Sequence, residues 1–382
     1  MPTSHHPRPQ PLPAAASCSV SSARLDEPLA GSGPRAAAWL AIEQPGPWGR
    51  RALTESHLDV GLGRELSRRA EAAGVRIALI RRPGRHALAP TGADVDADAD
   101  AGTDADTYID ADADPEANPG ANPQASAAAN PAINPGADTA AHAATPTAGQ
   151  PRQVLFANTI PGRTALRSMT ITDPRQLLDL DFAALAAGDW TGDNLLSTAT
   201  PEPEPVLFVC TNGKRDRCCA LLGRALTLDL AELMAAAGTD GLDIWECDHL
   251  GGHRFAPTAL VLPTGYVYGR LDAASGAAAA EAARTGRMIT RLCRGRSTWS
   301  PRGQAADLAL RDELQEFAED AVLVLGEQQT GAETWAVELT AHGVRYRASV
   351  AQRAAEEPRA ESCGKEFGRP IEIRVLELEK LG

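Results

Sequence analysis

Two short loops, each carried by an apolar run, limit what this chain can fold into. Val206-Leu207-Phe208-Val209 leads into Cys210-Thr-Asn-Gly-Lys-Arg-Asp-Arg-Cys218-Cys219, and further on Asp243-Ile-Trp-Glu-Cys-Asp leads into His249-Leu-Gly-Gly-His253-Arg-Phe-Ala. Three of the seven cysteines and two of the eight histidines fall on these loops. Rigid strands that present soft ligands at their ends are how a chain builds a metal site. Cys210 and Cys219 have eight residues between them, and His249 and His253 three, two of those being Gly251 and Gly252. Thiolates with imidazoles suit zinc, copper or an iron–sulfur centre. Zinc usually takes cysteines about two to four residues apart, whereas an iron–sulfur cluster spreads its ligands over longer loops. The glycine pair opposes a helix and suits a backbone that closely approaches something, as Gly213 does in the cysteine loop. The plain alternative is a set of buried thiols and ordinary histidines, and spacing alone leaves the two readings level.

Around these loops the periodicity predicts alternating strands and helices. Residues 38–42 read as a buried strand, 58–73 as a helix with Leu62, Leu66 and Ala70 at four-residue intervals, and 75–80 as the next strand. A strand–helix–strand unit predicts a parallel pair. Residues 153–157 read as a strand, and Asp173-Pro174 as the cap and first turn of a helix. In the centre, strand 206–209, helix 219–237 (Leu222, Leu226, Leu230, Leu233), strand 242–247, a hairpin about Pro263-Thr264-Gly265 and helix 273–285 follow the order of the thioredoxin fold, an analogy of fold alone. Helix 304–317 and strands 322–325, 335–339, 344–350 and 371–378 predict a small antiparallel extension.

Charge excludes some partners. The net charge is −13, yet residues 91–150 hold eleven acidic side chains and no Lys or Arg. Outside them 39 acidic residues face 37 basic ones, so the acidity describes an insert and not a binding surface. No basic block argues for nucleic acid, and no apolar run approaches the ~18 residues of a membrane span. The N-terminal segment lacks an apolar signal core, and seven unevenly spaced cysteines suit reduced thiols or a metal site, which predicts a cytoplasmic protein. Residues 1–34 are predicted to be disordered, with no role for Cys18, and the Asp-Ala and Asn-Pro repeats of 91–150 a flexible insertion.

Cys210-Thr-Asn-Gly-Lys-Arg-Asp-Arg-Cys-Cys219, His249-Leu-Gly-Gly-His253-Arg-Phe-Ala and Tyr268-Gly-Arg-Leu resemble the sucrase/ferredoxin-like family, a group of thioredoxin-like ferredoxins. Glu43-Gln-Pro-Gly-Pro-Trp-Gly49, Arg81-Arg-Pro-Gly84 and Ser362-Cys-Gly-Lys-Glu366 add to the likeness. The resemblance implies a [2Fe–2S] cluster held by Cys210, Cys219, His249 and His253, with Arg215-Asp216 matching the family's pair before the second cysteine. Thr211-Asn212 stand where relatives often have His or Gly. Nothing supports the sucrase part of the name, since no paired-carboxylate site is visible.

The reading is an α/β protein. Residues 35–90 and 151–200 make a split N-terminal α/β region, 204–290 a thioredoxin-like ferredoxin domain, and 291–382 a C-terminal α+β extension. Its function would be electron transfer, with proton coupling at the histidines and an unknown reductase or acceptor as partner; it is read as a carrier more than a stand-alone enzyme. The alternatives are a thioredoxin-type thiol oxidoreductase and a structural zinc module. No Cys-x-x-Cys supports the first, and adjacent cysteines rarely reach disulfide geometry. Cys218 rivals Cys219, but on a helix the two side chains diverge by about 100°, so one alone faces the iron. Cys247 reads as a core residue, Cys293 and Cys363 have no partner, and Arg254 and Lys365 read as solvated charges or steering groups for an acidic partner.

Overall fold

Asp59 begins the first helix that the hydrophobic period predicts. Its carboxylate accepts the Leu62 N–H at 2.8 Å, and Leu62, Leu66 and Ala70 turn one buried face inward. Each leucine so buried contributes roughly 1.5–3 kcal/mol. Gly74, at φ 70°, ends the helix Val60–Ala73 in the left-handed conformation that glycine adopts without strain. In the computed structural model, which describes residues 17–84, 149–237 and 242–381, this helix joins β1 (Ala38–Glu43) to β2 (Val75–Arg81), and the two strands pair in parallel as the unit predicts.

β3 (Arg152–Asn158), β4 (Ala165–Ile171) and β5 (Thr200–Pro201) continue antiparallel from β1. β6 (Val206–Cys210) and β7 (Asp243–Cys247) form a second parallel pair, and β8 (Ala259–Leu262), β9 (Tyr266–Tyr268) and β10 (Cys293–Arg296) extend it antiparallel from β6. The ten strands make one sheet in the order β10-β9-β8-β6-β7-β2-β1-β3-β4-β5. β2 meets β7 antiparallel through Ile80 opposite Cys247 and Arg81 opposite Glu246. The sheet therefore runs without a break across the boundary expected near residues 200–204.

β6 is buried on both faces, which is why it reads as an uninterrupted apolar run. Val206, Phe208 and Cys210 point into a core with Trp39, Ile80 and Trp245; Leu207 and Val209 point to the other side, toward Leu226, Leu230 and Ala279. The first core also holds Cys18, Cys218, Cys219 and Cys247. The C-terminal extension is a four-stranded antiparallel sheet of β11 (Val322–Gln329), β12 (Thr334–Ala341), β13 (Val344–Ala354) and β14 (Ile371–Lys380) in that order. The helix Pro301–Leu314 packs Ala305, Ala306 and Leu310 against it.

Several expectations need correction. Residues 17–34 are ordered: Ser17 caps a helix, Cys18–Arg24, and Gly31 and Gly33 donate to Arg294 O and Gln304 Oε1, each at 2.9 Å. Hydrogen bonds hold this segment in place of an apolar stripe, so no hydrophobic period announces it. Leu226 and Leu230 are buried as expected, but Leu222 and Leu233 are exposed; the helix after Cys219 opens with a π turn, Cys219–Gly223, which takes Leu222 out of register with the later leucines. Residues 1–16 and 91–148, the greater part of the predicted insert, lie outside the described residues. Among the described residues no helix is long and apolar enough to cross a membrane.

Candidate metal centre

Cys210 is the last residue of β6, and its backbone is held on both sides. Its N–H donates to Thr258 O and the following Thr211 N–H to Cys247 O, each at 3.1 Å. The chain then turns on Asn212, whose Oδ1 accepts Lys214 N–H at 3.1 Å and whose Nδ2 donates to Gly49 O at 3.0 Å. Asp216 caps the helix that follows by accepting the Cys218 N–H at 2.8 Å. That helix crosses β6 at close range: a Cβ on Gly223 would lie 2.1 Å from Cys210 O. Thr211 Oγ1 donates to Glu246 Oε2 at 2.9 Å, and Glu246 is paired with the buried Arg81 at 2.8 Å.

The histidines stand on the loop after β7. Gly251 and Gly252 take φ values of 70° and 67°, a double left-handed turn that side-chain-bearing residues rarely adopt. The close approach that the glycines predict is to Arg294: a Cβ on Gly252 would sit 2.2 Å from its Nη2. Arg294 in turn donates to Gly251 O at 3.0 Å. The turn brings the His249 and His253 rings to 5.0 Å between centroids, tilted by 31°. His253 Nδ1 lies 3.6 Å from Cys219 Sγ, and Arg215 Nη2 lies 3.3 Å from His249 Nε2. Guanidinium only donates, so His249 Nε2 is the acceptor there.

Cys210, Cys219, His249 and His253 thus come together, with Cys247 beside them. Hydrogen bonding from Cys219, then from Cys247, holds the Cys210 thiol well below its ordinary value. The bond to Cys210, reinforced by burial, drives Cys219 well above its own. Two adjacent thiolates in a buried place repel, so the two thiols resist ionising together. A cation at this point would let both ionise. Burial, and next the charge of His249, pushes His253 down to about 4, so its imidazole is neutral and keeps the lone pair that a ligand needs. Two thiols and two imidazoles so placed are donor types that suit a small cluster.

Cys218, one residue away, faces elsewhere, as the helical divergence predicts. Its Sγ is 3.1 Å from Cys363 Sγ and 3.6 Å from Cys18 Sγ. These thiols and Asp216 form a largely buried group that could hold a metal ion, with all ligand atoms within 4.8 Å of one another. Sequence reading missed it. Cys18 and Cys363 lie 200 and 145 positions from Cys218, so no local spacing joins the three thiols. Cys247 is a core residue as expected, and Cys293 is buried with Sγ 3.5 Å from Val267 O. Arg254 is no solvated or steering charge: it donates to the buried Glu27 at 2.7 Å, while Lys365 is exposed.

Among known proteins, no curated sequence and no solved structure matches this chain. A family model does, that of the sucrase/ferredoxin-like proteins, over residues 29–295, which include both loops and most of the ten-stranded sheet. The chain belongs to the sucrase/ferredoxin-like family.

Proposed function

We propose that this protein is an electron carrier whose [2Fe–2S] cluster is held by Cys210, Cys219, His249 and His253 in a thioredoxin-like unit over residues 204–290. One observation carries the reading: the end of β6, the first turn of the next helix and the loop after β7 bring two thiols and two imidazoles together. The strand order β9-β8-β6-β7, with β6 and β7 parallel and β8 antiparallel, agrees with a thioredoxin-like unit. When bound, such a cluster supplies one-electron oxidation and reduction.

The residues of the chain do the rest. Cys210 and Cys219 are almost fully buried and hold the inner side. His249 and His253 are only partly buried and form the side nearer to solvent, where a reductase or acceptor would dock. The imidazole nitrogen not used as a ligand keeps a proton that it can release, which couples the electron to a proton. The seven free cysteines suit a reducing, cytoplasmic setting.

Protein purified without oxygen and assayed for iron, acid-labile sulfide and visible absorption tests the proposal. Wild type should be red-brown with two irons and two sulfides per chain. A colourless wild type, iron-free after reconstitution, would sink it.

A further inference from the structure

We propose that Cys18, Cys218, Cys363 and Asp216 hold a second, mononuclear metal ion, zinc by its chemistry, apart from the Cys210–His253 group. Three sulfurs and one carboxylate oxygen are a donor set for a thiophilic divalent ion. Cys18 Sγ lies 3.6 Å from Cys218 Sγ and 3.6 Å from Cys363 Sγ, and 3.8 Å from each Asp216 oxygen. Zinc bonded to sulfur at about 2.3 Å in a tetrahedron spaces those sulfurs by roughly 3.8 Å. Two of the three sulfur edges are already close to that spacing. The third, 3.1 Å between Cys218 and Cys363, has only to widen. A polynuclear cluster distributes its cysteines over several irons and does not gather three around one point. A disulfide would use two of the three thiols and leave the last buried without a covalent partner.

The neighbours are arranged as outer supports of a metal site. Ser17 Oγ and Ser19 Oγ each lie 3.3 Å from Cys218 Sγ. Asp216 is held by the Cys218 N–H at 2.8 Å, the Ser362 hydroxyl at 2.7 Å and the Cys363 N–H at 2.8 Å. Three thiolates and a carboxylate around a divalent ion carry a net charge of about −2, the same as an all-cysteine structural zinc site. The ligands come from three separated parts of the chain: the first residue of the N-terminal helix, the start of the helix after β6, and the loop between β13 and β14. A metal here cross-links all three. Cys18 and Cys363 also lie outside the residues that the family model matches.

The test uses the full chain with Cys210 and Cys219 both changed to Ser, which removes the first thiol pair and leaves the second group intact. Reduced, metal-stripped protein is titrated with zinc alone against a chromophoric chelator, then alkylated and mapped by mass spectrometry. The expected result is one tightly bound zinc and loss of alkylation at Cys18, Cys218 and Cys363. Adding Cys18→Ser and Cys363→Ser should abolish that equivalent. Because those changes can also loosen the fold, wild-type chain is mapped in parallel, and there the same three thiols should be protected by zinc. No zinc uptake by the reduced protein, a Cys218–Cys363 disulfide in its place, or protection confined to Cys247 and Cys293 would overturn the proposal. Iron at the first site is read separately in wild type, so either reading can fail alone.

Discussion

Cys218 and Cys219 are neighbours in the chain and belong to different groups: Cys218 Sγ lies 3.1 Å from Cys363 Sγ, and Cys219 Sγ lies 3.6 Å from His253 Nδ1. The first turn of one helix divides its two thiols between two clusters of side chains. Cys219→Ala should therefore lose iron and visible colour, as Cys210→Ala should, while Cys218→Ala keeps both. Iron analysis of the three variants after anaerobic purification checks this. Colour lost in Cys218→Ala and kept in Cys219→Ala would move the ligand by one position.

Gly223→Ala probes the same site without touching a ligand. The new Cβ would meet Cys210 O at 2.1 Å, so the helix that carries Cys219 must back away from β6. Overpacking of this kind costs about 1–3 kcal/mol. The expected outcome is a lower urea midpoint together with reduced iron content. Full iron content at wild-type stability would show that the helix yields without moving Cys219.

Glu27 gives the pH prediction. Burial pushes its carboxyl up, but bonds from Arg359 and the charge of Arg254 outweigh burial and hold it below the usual value. A carboxyl depressed on folding adds stability that is present above its unfolded pKa of about 4.3 and is lost as pH falls through the folded value. Glu27→Gln should cost about 3 kcal/mol near neutral pH, since it leaves Arg254 and Arg359 short of a buried counter-charge. It should also flatten the acid limb of stability. Urea unfolding from pH 7 downward measures both, and parallel curves for wild type and variant would refute the assignment.

Neutral imidazoles in place of thiolates lower the negative charge around a cluster. The potential should lie above the plant-type value of about −400 mV, toward the range of roughly −150 to +300 mV seen with histidine ligation. It should fall by about 59 mV per pH unit where one proton accompanies the electron. His249→Cys or His253→Cys should lower the potential and flatten that slope. A pH-independent potential near −400 mV in wild type would remove the histidines from the metal.

Much of the fold was legible because it rests on local pattern. Leu62, Leu66 and Ala70 announced their helix, Gly74 its end, and the apolar run at 206–209 its strand. β10 was not legible. Its Arg294 and Arg296 are fully buried, against every expectation from polarity, because Arg296 donates to Thr159 O at 3.1 Å and Glu319 O at 3.0 Å, and Arg294 to Gly251 O. The first group of ligands was legible because each half lies on one loop. The second was not, because its thiols come from the N-terminal helix, the helix after β6 and the loop between β13 and β14.

The join between β2 and β7 has a mechanical meaning. Only Ile80–Cys247 and Arg81–Glu246 are paired there, so the sheet's two halves meet along a seam two residues long. Asp248 rivets its end: its N–H donates to Leu79 O at 3.0 Å, and its carboxylate accepts the Leu79 N–H at 2.9 Å. The same residue separates Cys247 from His249. Any shear that slides one half past the other must pull on this rivet, and the displacement is handed directly to the first histidine.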